Sequence, residues 1–158
     1  MPRIGVRRVW LSVAIVISFL AAVGCTSHQD ERAYSGSRSG VTLDDILRDY
    51  SLPMPKCTTT GLRYFATETF SGGLYLRFDA DKACVNQYLE QLGISNLSLG
   101  KGAGVPFGRY ECDKLGWCLD PVKSYDYYST FTTPNTEVAL LVDTNKDPEG
   151  VYVTAVRM

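Results

Sequence analysis

Histidine is almost absent from this sequence. The single histidine, His28, lies in a polar segment ahead of the part of the chain that is patterned for folding. General-base mechanisms and serine-hydrolase triads most often use a histidine beside the reacting group. A histidine in a polar spacer is typical of a solvated side chain. This placement therefore argues against histidine-dependent hydrolysis.

Clustered positive charge is also missing. Three of the 16 bases and none of the 17 acids precede Cys25, which leaves 13 bases and 17 acids, a net charge of −4, in the remainder. Binding to nucleic acid depends on clustered Lys and Arg that neutralise phosphates. The bases here are scattered, so we expect no nucleic-acid partner.

Motifs for metals and cofactors are lacking as well. No loop has the D-x-D-x-D-G spacing of a calcium site, and the acids Asp44, Asp45 and Asp49 favour a solvated helix face over metal binding. A glycine-rich loop suggests phosphate binding, but Lys101 is followed by Gly102 and the Walker spacing is absent. We expect an irregular surface loop there, with the glycines Gly100, Gly102, Gly104 and Gly108, and no metal or cofactor.

The N-terminus is the most informative stretch. Arg3, Arg7 and Arg8 give it positive charge, and no acid occurs before Asp30. Positions 9–24 are apolar or small except for two serines, a run shorter than the roughly 18 residues that span a bilayer comfortably. A charged start, a short apolar run and small residues at its end indicate a signal peptide over residues 1–24. An uncleaved membrane anchor is the alternative.

The end of this run, Ala22-Val23-Gly24-Cys25, resembles the lipobox of bacterial lipoproteins, although Leu is usual where Ala22 stands. The resemblance implies cleavage before Cys25 and a thioether-linked diacylglycerol on its sulfur. Two or more acyl chains, such as palmitate, anchor a protein stably. We therefore expect the membrane as a partner, through a lipid anchor on the extracytoplasmic side of the cell membrane. The alternative is cleavage by ordinary signal peptidase, which leaves Cys25 a free thiol.

Beyond the lipobox, the chain resembles small uncharacterised actinobacterial lipoproteins, a resemblance that carries no functional residues with it. The chain has five cysteines, so lipidation of Cys25 leaves an even number that can pair. Disulfides persist in the oxidising space outside the cytoplasm. Loop length and element placement favour Cys57 with Cys84 and Cys112 with Cys118. A four-cysteine zinc site is the rival, but both spacings exceed those of structural zinc sites.

Residues 25–40 are polar and rich in Ser and Gly near their end. Such a composition buries too little apolar surface to fold. We therefore predict a lipidated, flexible tether, followed by one small domain over residues 41–158.

The domain begins with a short helix. Thr42 and Asp45 form a capping-box pattern, and Pro53 requires the helix to end near Tyr50. Strands are predicted over 62–67 and 74–78, around a Ser-Gly-Gly turn. A longer helix then begins after Asp79-Ala80-Asp81 and ends near Leu92, before Gly93.

Three strands are predicted in the C-terminal part, over 124–132, 138–142 and 151–157, joined by short turns as in an antiparallel meander. The whole pattern predicts an α+β fold: an antiparallel sheet of about five strands with one main helix on a face, a short N-terminal helix and disulfide stabilisation.

The leading functional hypothesis is a binding or scaffolding module at the cell envelope, whose partner is an unidentified envelope protein or small molecule. It depends on an aromatic set, because Tyr and Trp are enriched at interfaces. Its members are Trp117, Tyr125, Tyr127 and Tyr128. The competing interpretation makes Trp117 a core residue and the tyrosines a half-buried sheet face.

Two alternative functions remain. A small hydrolase with paired carboxylates would use Asp113 with Asp120, or Glu111 with Asp126, as glycosidases do. No nucleophile motif supports it, and we assign no catalytic residue. An inhibitor or immunity-type protein differs from the leading hypothesis only in what it binds.

Overall fold

A computed structural model describes residues 30–68, 72–94 and 108–158. Over these residues the chain forms helices α1 (Leu43–Asp49), α2 (Lys82–Gln91) and α3 (Arg109–Leu115), and strands β1 (Thr59–Ala66), β2 (Gly73–Ala80), β3 (Asp126–Thr133), β4 (Thr136–Asp143) and β5 (Glu149–Arg157). The predicted signal peptide, the lipidation site Cys25 and the glycines at 100, 102 and 104 lie outside the described residues.

The strands form one antiparallel sheet in the order β1-β2-β5-β4-β3. The C-terminal meander is present as predicted, and β5 pairs with β2 from Gly73↔Val156 to Ala80↔Glu149. This pairing joins the first hairpin to the last three strands. The predicted α+β class, with a five-stranded sheet, is therefore confirmed.

Helix α1 begins at the predicted capping box. The Thr42 hydroxyl accepts a hydrogen bond from the Asp45 backbone N–H at 3.2 Å, and the Thr42 N–H donates to the Asp45 carboxylate at 3.4 Å. Together these bonds satisfy two amides that a helix start leaves unpaired. Leu43, Ile46 and Leu47 are buried, while Asp44 and Asp49 are exposed. The acids of this helix thus form its solvated face.

Helix α2 is the main helix and packs on one face of the sheet. The Asp81 carboxylate accepts from the Cys84 N–H at 2.7 Å and caps the helix start. Its buried stripe meets the alternating apolar residues of the strands, and the Tyr88 ring contacts Phe78 edge-on at 5.3 Å. The residues of the stripe are Cys84, Val85, Tyr88 and Leu89. This face is the main core of the domain.

Both predicted disulfides are present. Cys57 is joined to Cys84, which ties the segment before β1 to the buried stripe of α2, and Cys112 is joined to Cys118. The predicted arrangement is confirmed. Helix α3 was not predicted. It lies within residues 94–121, where the sequence has no clean helical or strand periodicity, and it ends at Gly116, whose φ is +70°.

The predicted flexible tether is wrong for residues 30–40. The Tyr34 N–H donates to the Tyr64 carbonyl at 2.7 Å, and the Arg38 N–H donates to the Ala66 carbonyl at 2.9 Å. Ala33 and Ser37 are buried against the domain. Composition missed this packing because the segment is held by backbone hydrogen bonds to the free edge of β1, which need no apolar side chains. The described part of the domain therefore starts at Asp30, before position 41.

Asp30 fastens this segment to α1. Its carboxylate accepts from the Arg32 side chain at 2.8 and 3.0 Å and from the Leu43 N–H at 3.0 Å. The hydrogen bonds from the Arg32 side chain lower the pKa of Asp30 most, and they outweigh burial, which raises it. A lowered pKa means that the ionised form is bound preferentially by the folded chain.

We expect Asp30→Asn to lower the free energy of unfolding by about 1.5–3 kcal/mol at pH 7, because charge-assisted hydrogen bonds are lost. The contribution of Asp30 is present above its unfolded pKa of about 3.9 and is lost as the pH falls through the lower folded value. The difference in the free energy of unfolding between the unmodified protein and Asp30→Asn should therefore narrow below about pH 4. Urea unfolding at a series of pH values measures it. The control is Asp44→Asn, which removes a 70% exposed carboxylate that lies 3.5 Å from the same Arg32. An equal loss in both variants, or a pH-independent gap, would contradict this role.

Candidate functional site

The predicted aromatic set does not form one surface, and Trp117 shows why. Trp117 is only 2% exposed, and it packs on the sheet face opposite α2. Its ring meets Tyr152 at 5.2 Å and Tyr75 at 6.0 Å, both edge-on, and its indole N–H donates to the Tyr34 hydroxyl at 3.2 Å. A second core surrounds it, made of Phe65, Leu115, Trp117, Tyr125, Leu141 and Tyr152. The core interpretation of Trp117 is therefore correct, and the contact interpretation is not.

The tyrosines of the set are also separated. Tyr125 is buried in the second core, where its hydroxyl accepts from the Asp120 N–H at 3.0 Å and burial raises its pKa. Tyr127 and Tyr128 are half-buried on opposite faces of β3, and Tyr128 packs against the main core. Of the predicted contact residues, Tyr127 alone is both partly exposed and directed away from the main core.

The two carboxylate pairs proposed for a hydrolase have local structural roles. The Glu111 carboxylate accepts from the Gly108 N–H at 2.7 Å at the start of α3, and Asp113 lies 3.9 Å from Arg109 on the same helix. Asp120 accepts from the Val122 N–H at 3.0 Å in a turn, and Asp126 begins β3. Across the described ranges, no group of three His, Cys, Asp or Glu side chains is placed to hold a metal ion.

A charged cluster missed by the sequence lies where β2, β5 and β4 run side by side. Gly150 pairs with Asp79 on one side and Asp143 on the other. Asp79 lies 3.6 Å from Arg77, and Asp143 lies 3.3 Å from Lys146. Burial raises the pKa of Asp143, but the hydrogen bonds from Asn145 and the pairing with Lys146 outweigh it and lower the pKa overall. Asp143 is thus held ionised, whereas a general acid must carry a proton.

A polar cavity of about 220 Å³ lies where α1, the 30–40 segment and the ends of β1 and β5 meet. Its floor is apolar, because Ile46 and Ala66 are buried, and its other lining residues are polar or charged. The lining is Arg38, Ile46, Asp49, Tyr50, Ala66, Thr67, Glu68 and Arg157. Concave sites with an apolar base and a few polar groups are the usual form of small-molecule sites.

One wall of the cavity is fixed by hydrogen bonds. The Arg157 guanidinium donates to the Asp49 carbonyl and lies 5.1 Å from the centre of the Tyr50 ring, a cation–π contact. The Tyr50 hydroxyl donates to the Gly72 carbonyl at 2.7 Å, and burial raises the pKa of Tyr50. These contacts hold the aromatic ring and the guanidinium in place before any ligand arrives.

The cavity lining also includes two charges of unlike sign. Arg38 and Glu68 are exposed side chains that line the cavity, and among the described residues neither forms an ion pair. Sequence reasoning missed Arg38 because the segment around it was interpreted as a tether. The other lining residues come from distant parts of the chain, and no local motif marks them.

The described helices are all too short or too polar to cross a bilayer. Comparison with protein-family models, curated proteins and solved structures finds no match to this chain.

Proposed function

We propose that this protein is a lipid-anchored binding module on the extracytoplasmic side of the cell membrane, whose site is the polar cavity. The observation that carries the proposal is that two exposed side chains of unlike charge, Arg38 and Glu68, line a cavity with an apolar floor. Such a lining suits a small ligand that carries both a carboxylate and an ammonium group.

The size and chemistry of the cavity narrow the ligand class. A volume of about 220 Å³ is below the roughly 300–1,000 Å³ of sites for drug-sized molecules. Guanidinium groups bind carboxylates with paired, charge-assisted hydrogen bonds, and Glu68 is an acceptor for an ammonium group. The floor of Ile46 and Ala66 accommodates a few carbon atoms. A free amino acid or the end of a short peptide fits this description.

We expect Arg38→Ala to weaken binding of such ligands by about tenfold or more, since a charge-assisted hydrogen bond contributes about 1.5–3 kcal/mol. Chemical-shift titration with a panel of amino acids and dipeptides measures the affinity. The control is Arg48→Ala, which removes an exposed arginine of α1 that pairs with Asp45 and does not line the cavity. Failure of the unmodified chain to bind any member of the panel would reject the ligand class. Equal loss in both variants would reject the site.

Several features support the anchoring part of the proposal. The two disulfides use four of the five cysteines and leave Cys25 over. Disulfides are typical of proteins exported to an oxidising compartment. Together with the charged, apolar and small residues of the first 24 positions, they support export followed by lipidation of Cys25.

We expect Cys25→Ser to move the protein from the membrane fraction to the soluble fraction, because two or more acyl chains hold a protein on a bilayer and none remain in the variant. Cell fractionation and partitioning into detergent measure the shift. The control is the double variant Cys112→Ser, Cys118→Ser. It loses two cysteines but keeps Cys25, so it should stay with the membrane. Unchanged fractionation of Cys25→Ser would reject the lipid anchor.

A further inference from the structure

Strand β3 is an open edge of the sheet. It pairs with β4 on one side, and within the described residues its outer edge has no backbone hydrogen-bond partner. The opposite edge is treated differently. Residues 32–38 lie along β1 and form backbone hydrogen bonds with Tyr64 and Ala66. Among the described residues, the chain therefore covers the β1 edge of its sheet and leaves the β3 edge uncovered.

Edge β3 carries little of the usual protection against pairing. Exposed edges in natural proteins carry Lys, Pro, inward-pointing charge or β-bulges. Asp126 is the one charged residue between Asp126 and Thr133, and the strand has no proline. Its pairing with β4 is regular from Asp126 to Phe131 and irregular just beyond. Phe131 is 59% exposed, on the same face as Tyr127 and Ser129.

We propose that β3 pairs antiparallel with β3 of a second copy of this chain, with Ser129 facing Ser129 at the twofold axis. Opposed residues in an antiparallel pair share a face, so this register places Tyr127 opposite Phe131 of the second copy, twice by symmetry. Tyr128 then lies opposite Thr130. The two sheets become one continuous sheet of ten strands, and each exposed Phe131 is covered by a tyrosine.

The sequence of β3 favours a second copy over an unrelated peptide because the strand is complementary to itself. Asp126 lies opposite Thr132 of the second copy, so the acids remain apart and no like charges meet. Aromatic cross-strand pairs stabilise a sheet, and this register forms two of them. A slip by one residue moves the side chains to opposite faces. Slips by two leave Phe131 unpaired or involve the irregular end of the strand.

The test uses two differently tagged copies of the full chain, expressed together and purified from a detergent extract. The unmodified copies should co-purify. Ser129→Lys with itself, or Ser129→Asp with itself, places like charges opposite each other at the axis and should reduce co-purification about tenfold. Ser129→Lys with Ser129→Asp should restore it, since opposite charges then meet. Restoration also shows that each variant is folded.

Thr154→Lys is the matched control. Thr154 lies in β5, in register with Ala139 and hence with Ser129, but in the interior of the sheet. The same charge there should leave co-purification unchanged. The proposal is overturned if the unmodified copies do not co-purify, if like-charge copies co-purify as the unmodified ones do, or if the mixed pair fails to recover. These results do not depend on ligand binding or on lipidation, so the proposed function stands or falls separately.

Discussion

Replacing Trp117 with alanine is expected to lower the free energy of unfolding by about 3–5 kcal/mol, the cost of truncating a large aromatic residue in a core. Trp117 is the largest buried side chain among the described residues, and it contacts the rings of Tyr75 and Tyr152. Its removal also leaves the Tyr34 hydroxyl without the indole donor. The second core contains few residues, so little apolar contact is available to close the cavity that the substitution creates.

Circular dichroism during urea unfolding measures this loss. Tryptophan fluorescence is not suitable, because the substitution removes Trp117 itself. Tyr110→Ala is the matched control. Tyr110 also contacts Tyr75, at 6.1 Å, but it is 44% exposed, so its truncation should cost less than about 1 kcal/mol. Trp117→Phe should fall between the two. If Trp117→Ala and Tyr110→Ala had equal effects, the sheet face opposite α2 would not be a cooperative core.

The sequence was most informative where structure is decided locally. The capping box at Thr42 and the cap at Asp81 both depend on residues three positions apart, and both are present. The apolar stripe of α2 and the alternation in β2 also appear in short windows. Their combination was sufficient to predict the main core and the class of fold. Because Cys84 lies on that stripe, it was also sufficient to select the disulfide with Cys57.

The second core was hidden because its members come together only in the folded chain. Helix α3 has few apolar residues and no buried stripe, apart from Leu115. Tyr75 and Tyr152, whose rings contact Trp117, lie on different strands and are 77 positions apart in the sequence. A sequence pattern gives no sign that these tyrosines surround Trp117. For the same reason the sequence predicts Tyr125 to be either a contact residue or part of a half-buried sheet face, and does not predict its place in a core.

The cavity was hidden for a related reason. Arg38 reaches it because backbone hydrogen bonds hold the 30–40 segment against β1, and Arg157 reaches it because β5 lies in the middle of the sheet. Neither fact can be read from composition. The composition of this polar segment, with its two arginines, is that of a spacer, but its hydrogen bonds make it part of the cavity lining.

The two disulfides are expected to differ in their effects on stability. Cys57 and Cys84 are 27 positions apart, and Cys112 and Cys118 are 6 apart. A cross-link stabilises mainly by restricting the unfolded chain, and more so for longer loops. Replacing both Cys57 and Cys84 with alanine should cost about 3.5 kcal/mol, and replacing both Cys112 and Cys118 about 2.2 kcal/mol. Chemical denaturation of the two double variants measures the difference.

The location of each disulfide should increase this difference. Cys84 is 4% exposed, so its replacement also removes packing from the main core, whereas Cys118 is exposed. Adding a reducing agent to the unmodified chain provides a control without any substitution, since it opens both loops and leaves the thiols in place. A greater loss on removing the short loop would contradict the entropic account. It would mean that the Cys112–Cys118 link acts mainly by holding α3 and Trp117 against the sheet.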